Sequence, residues 1–369
     1  MKIKITLILL LFLLPLLGAG SFVSAKLVVT KLTCNHQSGF AIVNTEKPFV
    51  GWQMTSDQQN DYQTFYQLEV VENGTNTPVY LTKQIKSAES QLITIPALLE
   101  NTLGYKWRVK VWDSQKQPSE WSDWQLIHIA PKHLDATWVG AISKKDAHIP
   151  DGKWSNTSFK QQDFKDAWKY IDSLSTKSIE IHKPLTLTQS PDNISNAVIY
   201  ISGLGHYILK VNNKRISDAE FAPLWTDYAK TVYYNIYDLT SILKAATAPS
   251  GFIADSSAPV TTPAGTNSEL SVLLGNGMYN VQKDGRYTKF QASYGAPKLF
   301  FSLVISYKDG TKQIVKTDGT ERYRLSDLTF NSIYGGESIA TSSSQEPFRP
   351  VRIVEQPTGK LLPQIAPPI

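Results

Sequence analysis

Apolar side chains in this chain recur at every second position, which is the spacing of β-strands. No long segment after residue 25 shows the 3.6-residue period of an amphipathic helix. The clearest strand is the segment 105–112, and the residues of its apolar face are Tyr105, Trp107, Val109 and Val111. Similar runs alternate with turn-forming residues along the rest of the chain. The sequence therefore predicts an all-β protein.

The first 25 residues have the pattern of a cleaved secretory signal peptide. Lys2 and Lys4 form a short basic start, residues 5–17 are almost wholly apolar, and residues 23–25 are small enough for a signal peptidase site. The alternative is an uncleaved membrane anchor, although the apolar run is short for a membrane span. We expect a secreted, periplasmic or cell-envelope protein with no membrane segment after signal cleavage.

Charge and cysteine content narrow the class of protein further. Removing residues 1–25 leaves 344 of the 369 residues, and the formal charge falls from +5 to +3 because only Lys2 and Lys4 are lost. This near balance, with no block of Lys and Arg, excludes nucleic acid as an expected partner. Cys34 is the only cysteine, so no internal disulfide can form. Apolar cores must hold the fold, and 344 residues are enough for two of them.

Residues 26–131 are predicted to form a first β-sandwich. The unit resembles a fibronectin type III module in its strand count, its length and its Tyr-x-Trp-x-Val-x-Val strand. Arg108 lies on the outer face of that strand, where we expect it to stack on the indoles of Trp112, Trp121 or Trp124. We interpret this stack as a structural feature of the sandwich edge, because a fold this common carries no function by itself.

A second, larger β-rich unit is predicted over residues 132–355. Its clearest strands are the segments 197–203, 207–211, 299–305 and 312–316. Asn212 and Asn213 stand where a two-residue hairpin requires positive φ angles, which asparagine tolerates well. No element is predicted between residues 143 and 191, and residues 245–267 are predicted to form a long loop.

The motifs of this second unit resemble a known family. They are YISGLGHYILKVNNKRISD (200–218), LWTDYAKTVYYNIYDLTSIL (224–243), LLGNGMYN (273–280) and FNSIYGGE (330–337). In this order and spacing they resemble the N-terminal region of bacterial α-L-rhamnosidases, the family 78 glycoside hydrolases. The first unit agrees with this resemblance through LTCNHQSGF, PFVGW and YKWRVKVWD.

The resemblance implies a fibronectin type III-like sandwich followed by a larger jelly-roll-like β-sandwich, placed ahead of an (α/α)6 barrel. In that family the barrel carries two acids that hydrolyse terminal α-L-rhamnosides with inversion. One acid protonates the leaving oxygen, and the other activates a water molecule on the opposite face of the sugar ring. Here the segment 356–369, which ends in GKLLPQIAPPI, is predicted to be an extended linker with no closing helix or strand. We therefore assign no catalytic residue, and we expect the barrel to lie outside this chain or in a separately encoded partner.

Three departures from the family pattern bear on any sugar site. Met278 stands where the family usually has tryptophan after Gly-Asn-Gly. Residues 338–347 replace a more regular continuation, and residues 245–267 interrupt what is normally a short turn. These changes weaken the expectation of an intact sugar subsite and agree with a truncated or split gene.

Five residues of the motifs are candidates for carbohydrate binding. An indole or phenol ring of Trp225 or Tyr228 stacks on sugar C–H groups, and the carboxylate of Asp227 accepts hydrogen bonds from hydroxyl groups. The alternative is that Trp225 and Tyr228 pack in the core while Asp227 caps a turn. Asn276 and Tyr279 would face the ligand if the Gly-Asn-Gly loop lies at a binding edge.

No cofactor or metal is predicted for this chain. Some related rhamnose-binding sandwiches use calcium, but no dense Asp/Asn loop here resembles a calcium cage. The six histidines are scattered and lack the His-x-x-x-His spacing of a zinc site. Calcium is left open without a motif to support it.

Three functions remain open at this stage. The first is the non-catalytic N-terminal part of a secreted α-L-rhamnosidase that positions or binds rhamnose-containing glycans. The second is a stand-alone carbohydrate-binding module. The third is an adhesion or structural protein of the cell envelope, which would bind a protein partner without dependence on sugar.

Overall fold

The computed structural model describes residues 27–45, 47–95, 98, 104–141, 177–245, 267–281, 286–287, 292–341, 347–366 and 369. The predicted signal peptide and most of the predicted 245–267 loop lie outside these residues. The described chain is almost entirely β, with one short helix, α1 (Thr240–Lys244), and one 3₁₀ turn (Pro191–Asn193). The all-β prediction is confirmed. Neither of these helical segments is long and apolar enough to span a membrane.

The first sandwich contains a small and a larger sheet. Their described strands are β1 (Val28–Cys34), β2 (Ala41–Val43), β3 (Phe49–Thr55), β4 (Phe65–Glu72), β5 (Pro78–Leu81), β6 (Ile85–Lys86), β7 (Ile93–Thr94), β8 (Tyr105–Trp112) and β9 (Gln125–Ile129). The small sheet has the order β1-β3-β7, and the larger one has the order β2-β9-β8-β4-β5 with β6 also paired to β4. Cys34 is fully buried between them, and burial raises the pKa of its thiol to about 12.

Strand β8 alternates as the sequence predicted. Its inward residues are buried, and the indole of Trp107 donates a 2.9 Å hydrogen bond to Gln125. On the outer face the guanidinium of Arg108 lies 4.3 Å from the ring centre of Trp124 and 4.7 Å from that of Trp121. The predicted cation–π stack is therefore present with two of the three proposed indoles. Arg108 also pairs with Glu69 at 2.6 Å, which ties β8 to β4.

The second sandwich also contains two principal sheets. Their described strands, with two short hairpins, are β10 (Val139–Gly140), β11 (Ile179–Thr186), β12 (Ile194–Leu204), β13 (Tyr207–Val211), β14 (Lys214–Arg215), β15 (Thr231–Asp238), β16 (Asn267–Leu274), β17 (Asn280–Val281), β18 (Ala292–Ser293), β19 (Lys298–Tyr307), β20 (Lys312–Lys316), β21 (Arg322–Leu325), β22 (Leu328–Ser332), β23 (Gly336–Ile339), β24 (Arg349–Pro350), β25 (Arg352–Ile353) and β26 (Lys360–Pro363). One sheet runs β25-β10-β19-β12-β15-β26 with β20 also paired to β19, and the other runs β14-β13-β16-β11-β21-β24. The main core lies between these two sheets.

Two turns of the second sandwich form at the residues whose chemistry favours them. Asn212 and Asn213 adopt φ angles of 50° and 63° and close the hairpin between β13 and β14. The Asp238 carboxylate accepts a 2.8 Å hydrogen bond from the N–H of Thr240, which begins α1. These turns follow from single residues that tolerate left-handed backbone or accept a backbone N–H.

The sequence prediction missed several strands of the second sandwich, and two of them change the description of the fold. No element was predicted between residues 143 and 191, but β11 is a central strand paired with β16 and β21. The segment 356–369 was predicted to be a linker without a closing strand. It is extended, but its residues Lys360–Pro363 form β26, which pairs in parallel with β15 at the sheet edge. Proline is tolerated there because an edge strand leaves one side of its backbone unpaired.

An apolar seam joins the two sandwiches. It is formed on the second sandwich by outward-facing residues of β12 and β15, which are Val198, Tyr200, Tyr234 and Ile236. Phe40 and Ile42 of the first sandwich pack against them. His128 of β9 is buried in the seam, where its Nε2 lies 2.8 Å from the hydroxyl of Tyr200. The seam therefore has an apolar periphery and one buried polar pair.

Acidification is expected to destabilise the protein through His128. Burial lowers the pKa of His128 to about 4, compared with an ordinary value of 6.5. Below pH 6.5 the unfolded chain takes up a proton that the folded chain does not, so the contribution of this group to the free energy of unfolding falls as the pH decreases. The loss reaches ~3 kcal/mol near the folded pKa.

Urea denaturation of the wild type and of His128→Phe, at neutral pH and near pH 4, measures this contribution. At neutral pH the variant should be less stable, because it lacks the hydrogen bond to Tyr200. Its further loss on acidification should be smaller than that of the wild type, since phenylalanine does not titrate. Equal losses in the two proteins would contradict the assignment.

Candidate functional site

The motif loops meet at one end of the second sandwich, which we call the rim. It consists of residues 205–207, 221–228 and 275–280 with the hairpin β22–β23. The N–H of Gly275 donates to the carbonyl of His206 at 2.8 Å, and that of Tyr207 donates to Ala222 at 2.9 Å. The N–H of Asn276 donates to the side chain of Asn331 on β22 at 3.2 Å. These contacts bring three motifs, distant in sequence, to one edge.

Trp225 is the most exposed aromatic residue of the 221–228 loop, with 63% of its surface accessible. The backbone that carries it is held on both sides. The N–H of Leu224 donates to the side chain of Gln364 at 2.8 Å, and the hydroxyl of Thr226 donates to the carbonyl of Thr231. The interpretation that Trp225 packs in the core is therefore wrong. An indole on a fixed, open loop has a face available for a ligand.

Asp227 follows Trp225 and is also accessible. Its carboxylate pairs with Lys230 at 3.0 Å and accepts a 3.3 Å hydrogen bond from the N–H of Ala229, as a turn-capping residue does. The hydrogen bond from Lys230 lowers the pKa of Asp227 below its ordinary value. The group is therefore an ionised acceptor beside the exposed indole.

Tyr228 and Tyr279 are buried beneath the rim, so neither ring presents a free face. Their ring centres lie 5.2 Å apart in an edge-to-face contact, and each also packs on Tyr294, at 5.1 Å and 5.8 Å. Burial raises the pKa of Tyr228. The core interpretation holds for Tyr228. For Tyr279, the expectation that it faces the edge is corrected, because its ring fills the cluster that joins the two loops.

Asn276 also faces inward. Its side-chain amide donates to the carbonyl of Asn331 at 3.2 Å, and its side-chain oxygen accepts from Asn280 at 3.1 Å. The amide end of the side chain therefore ties the loop to β22, and the oxygen end ties the loop to its own residue Asn280. The expectation that Asn276 lies toward a ligand is corrected for this reason.

Two glycines allow the loops to approach each other. Gly205 has a φ of +80°, and a Cβ added there would lie 1.8 Å from the carbonyl oxygen of Gly275. Gly277 has a φ of +50°, and its added Cβ would lie 2.9 Å from the ring of His206. The backbone geometry and the space both require glycine at these positions.

Sequence reasoning assigned no role to the rim residue His206 or to Arg286, which contacts the hairpin β22–β23. The guanidinium of Arg286 stacks over Phe330 at 4.2 Å and donates to the hydroxyl of Ser338 at 2.6 Å, which braces the hairpin β22–β23. A signal was present in the FNSIYGGE motif, but a stacking partner 44 residues away in the chain cannot be read from it. His206 lies between the two loops and is considered below.

A second group of titratable residues lies away from the rim, across β11, β16 and β21. His182 Nδ1 lies 2.8 Å from Glu269, and Glu180 accepts from Arg324 at 2.8 Å. His182, 3.7 Å away, and Arg324 together lower the pKa of Glu180 to about 2. Each partner lies on a neighbouring strand, so this group ties the sheet together. Within the described residues, no group of three or more His, Cys, Asp or Glu side chains is placed to hold a metal ion.

Comparison with known families matches both parts of the chain. Residues 29–132 match the family described as Rha78A-like, N-terminal immunoglobulin domain. Residues 192–252 and 260–369 match the family described as Alpha-L-rhamnosidase N-terminal domain. The second match contains the whole rim, including the hairpin β22–β23.

Individual proteins that are similar to this chain are α-L-rhamnosidases, in agreement with the family matches. An α-L-rhamnosidase of Formosa agariphila is 25% identical over 321 residues, which are 84% of this chain and 31% of that protein. The solved α-L-rhamnosidase of Dictyoglumus thermophilum shares 24% identity and superposes with a TM-score of 0.63 over 92% of this chain and 35% of its own. The Streptomyces avermitilis α-L-rhamnosidase, solved in complex with L-rhamnose, shares 16% identity with a TM-score of 0.66, over 90% of this chain and 45% of its own. The chain thus spans about a third of the length of the first relatives that it matches.

Substitution of Gly205 tests whether the close approach of the two loops matters for stability. Gly205→Ala should lower the free energy of unfolding by roughly 3 kcal/mol or more, because the methyl group overlaps the carbonyl of Gly275. Gly310→Ala is the matched control, since Gly310 has a similar φ of +85° but open space around its Cβ. The control should cost about 1–2 kcal/mol, the cost of left-handed backbone alone. Equal losses in urea denaturation would show that the approach is not constrained.

Proposed function

Because this chain corresponds to the N-terminal region of the α-L-rhamnosidases of glycoside hydrolase family 78, we propose that it is the non-catalytic part of such a secreted enzyme. In this role it binds or positions rhamnose-containing glycans at the rim of the second sandwich. The catalytic barrel of the family would act on a glycan held there, whether it belongs to the same polypeptide or to a separate partner.

The exposed indole of Trp225 is the observation that carries this proposal. Its loop is fixed by hydrogen bonds at Leu224 and Thr226, so little conformational entropy is lost when a ligand stacks on the ring. The ionised carboxylate of Asp227 lies two residues away and accepts hydrogen bonds. An apolar ring face beside a hydroxyl acceptor suits a sugar, which has C–H and O–H groups on different sides. The L-rhamnose complex of the Streptomyces relative supports the choice of sugar.

The same rim has little to offer for glycosidic bond cleavage. An inverting glycosidase requires one carboxyl group that is protonated at working pH and a second that activates water. The pKa of Asp227 is shifted in the opposite direction, and Glu337 is hydrogen-bonded to Asn331 at 3.0 Å. We therefore propose that hydrolysis depends on the barrel.

Exposed apolar side chains near the Trp225 loop favour a second role, which is contact with another protein domain. Phe221 and Ile365 are each 39% exposed, and Ile369 is 70% exposed. The N–H of Phe221 donates to the carbonyl of Ile369 at 3.3 Å and the N–H of Leu224 donates to the side chain of Gln364, so Ile369 and Gln364 lie beside the Trp225 loop. Such a strip suits contact with another protein domain, and sugar titration separates this role from glycan binding.

Isothermal titration of residues 26–369 with L-rhamnose and with rhamnosylated oligosaccharides tests the proposal. Trp225→Ala should weaken binding roughly tenfold, equal to about 1.4 kcal/mol, because the stacking surface is lost. Tyr62→Ala is the matched control, since Tyr62 is 60% exposed on the first sandwich, and it should bind as the wild type does. Repeating the titration with calcium and with a chelator asks whether the metal takes part. If the folded wild type releases or absorbs no heat on titration with these sugars, glycan binding is refuted. The role in contact with another domain would then be the one supported.

Incubation of the same protein with an aryl α-L-rhamnoside tests the non-catalytic assignment. We expect no release of the aryl group above a buffer control, since the pKa of Asp227 is lowered, Glu337 is hydrogen-bonded to Asn331, and we propose that the catalytic acids lie in the barrel. Turnover that persists after repeated purification would overturn this assignment.

A further inference from the structure

His206 lies at the junction of the two rim loops. Its carbonyl accepts the N–H of Gly275, and the next residue, Tyr207, donates to Ala222 in the Trp225 loop. Gly277 approaches so closely that an added Cβ would lie 2.9 Å from the imidazole Cγ. Both loops therefore pack directly against this histidine.

The imidazole has a polar atom without a hydrogen-bonding partner in the protein. Nε2 of His206 is sealed from solvent, and no described protein atom bonds to it. An unsatisfied buried polar atom costs roughly 1–3 kcal/mol, so such atoms are rare and call for an explanation. Burial also lowers the pKa of His206 to about 4, which keeps the ring neutral at ordinary pH and able to exchange hydrogen bonds with a neutral ligand.

The ring that covers this imidazole is itself at the surface. Phe221 packs edge-on against His206, with ring centres 5.4 Å apart, and 39% of its own surface is exposed. A partly exposed phenylalanine can turn about its side-chain torsions without opening the main core. Phe221 also precedes Trp225 by four residues on the same loop. Rotation of Phe221 would therefore uncover one side of the imidazole, beside the loop that carries the exposed indole.

We propose that His206 Nε2 is the buried hydrogen-bonding contact of the rim for a glycan hydroxyl, and that Phe221 rotates to admit it. This inference rests on the proposed glycan binding. It adds a hydrogen bond that would orient the sugar, whereas the indole of Trp225 provides the stacking surface. The ligand class is a neutral polyhydroxylated sugar, because an imidazole nitrogen exchanges hydrogen bonds with hydroxyl groups and the ligand proposed for the neighbouring Trp225 loop is a glycan. The unsatisfied nitrogen of the free protein becomes satisfied in the complex.

A structural role for His206 predicts a different response to substitution. If the imidazole only fills space and binds the fold together, its replacement should destabilise the protein. If Nε2 is held unsatisfied for a ligand, an apolar ring of similar size should leave the free protein equally stable or more stable, and should weaken sugar binding.

The experiment compares the same substitution at two histidines, His206 with an enclosed but unbonded Nε2 and His128 with a bonded one. His206→Phe should have an unchanged or higher Tm and an affinity for L-rhamnose roughly tenfold lower, as expected for one lost hydrogen bond in a buried site. His128→Phe is the matched control, because His128 Nε2 is bonded to Tyr200 in the seam. It should have a lower Tm and an unchanged affinity.

The outcomes separate this inference from the proposed function. A wild type that binds L-rhamnose, with His206→Phe binding equally well, overturns the role of His206 alone. A lower Tm for His206→Phe together with unchanged affinity assigns the residue to packing or to a bound water and also overturns it. A wild type that binds no sugar overturns both proposals. Phe221→Ala gives a second check, since removal of the covering ring should preserve or strengthen binding if Nε2 is the contact.

Discussion

The antiparallel pair β12–β19 is the interaction on which the rest of the structure depends. Both strands are buried along nearly their whole length, and β12 is apolar on both faces. Ala197, Ile199 and Ile201 point into the core of the second sandwich, whereas Val198 and Tyr200 point into the seam. A sheet that is apolar on both faces requires a cover on each. The first sandwich supplies the second cover, so the two units share their stability although each has its own core.

This dependence determines where a ligand can be accommodated. Because both faces of the sheet that contains β12 and β19 are covered, the open parts of this sheet are its edges and its loop ends. At the rim, the side chains of Asn276, Tyr279 and Asn331 are used to lock loops together. Trp225 and His206 depart from this pattern, one as an apolar ring left in solvent and the other as a polar nitrogen left without a bond. Both departures lie at the rim, Trp225 in the motif 224–243 and His206 in the motif 200–218, and the ligand proposed above would contact both.

Sequence reasoning succeeded where a single residue, or the two-residue repeat of a strand, determines the local structure. The two-residue alternation of β8, the asparagine hairpin at Asn212 and the stacking of Arg108 are local consequences of side-chain direction. It failed for β11, because Glu180 and His182 pair with residues of the neighbouring strands and Lys183 pairs with Asp318 of a turn, and these polar side chains dilute the apolar signal. It failed also for Asn276 and Tyr279. Whether a loop side chain turns inward depends on a partner such as Asn331, 55 positions away, and no local pattern contains that information. The exposure of Trp225 is likewise set by tertiary packing, against the usual tendency of indoles to be buried.

Cys34 has a practical consequence for work on this protein. It is the only thiol in the chain, it is fully buried in the first core, and its thiolate form is strongly disfavoured by burial. A cysteine introduced at an open position would therefore be the single site of reaction with a maleimide dye or spin label. Loop movement could then be followed by fluorescence or electron resonance in the native background, with no need to remove a competing sulfhydryl group.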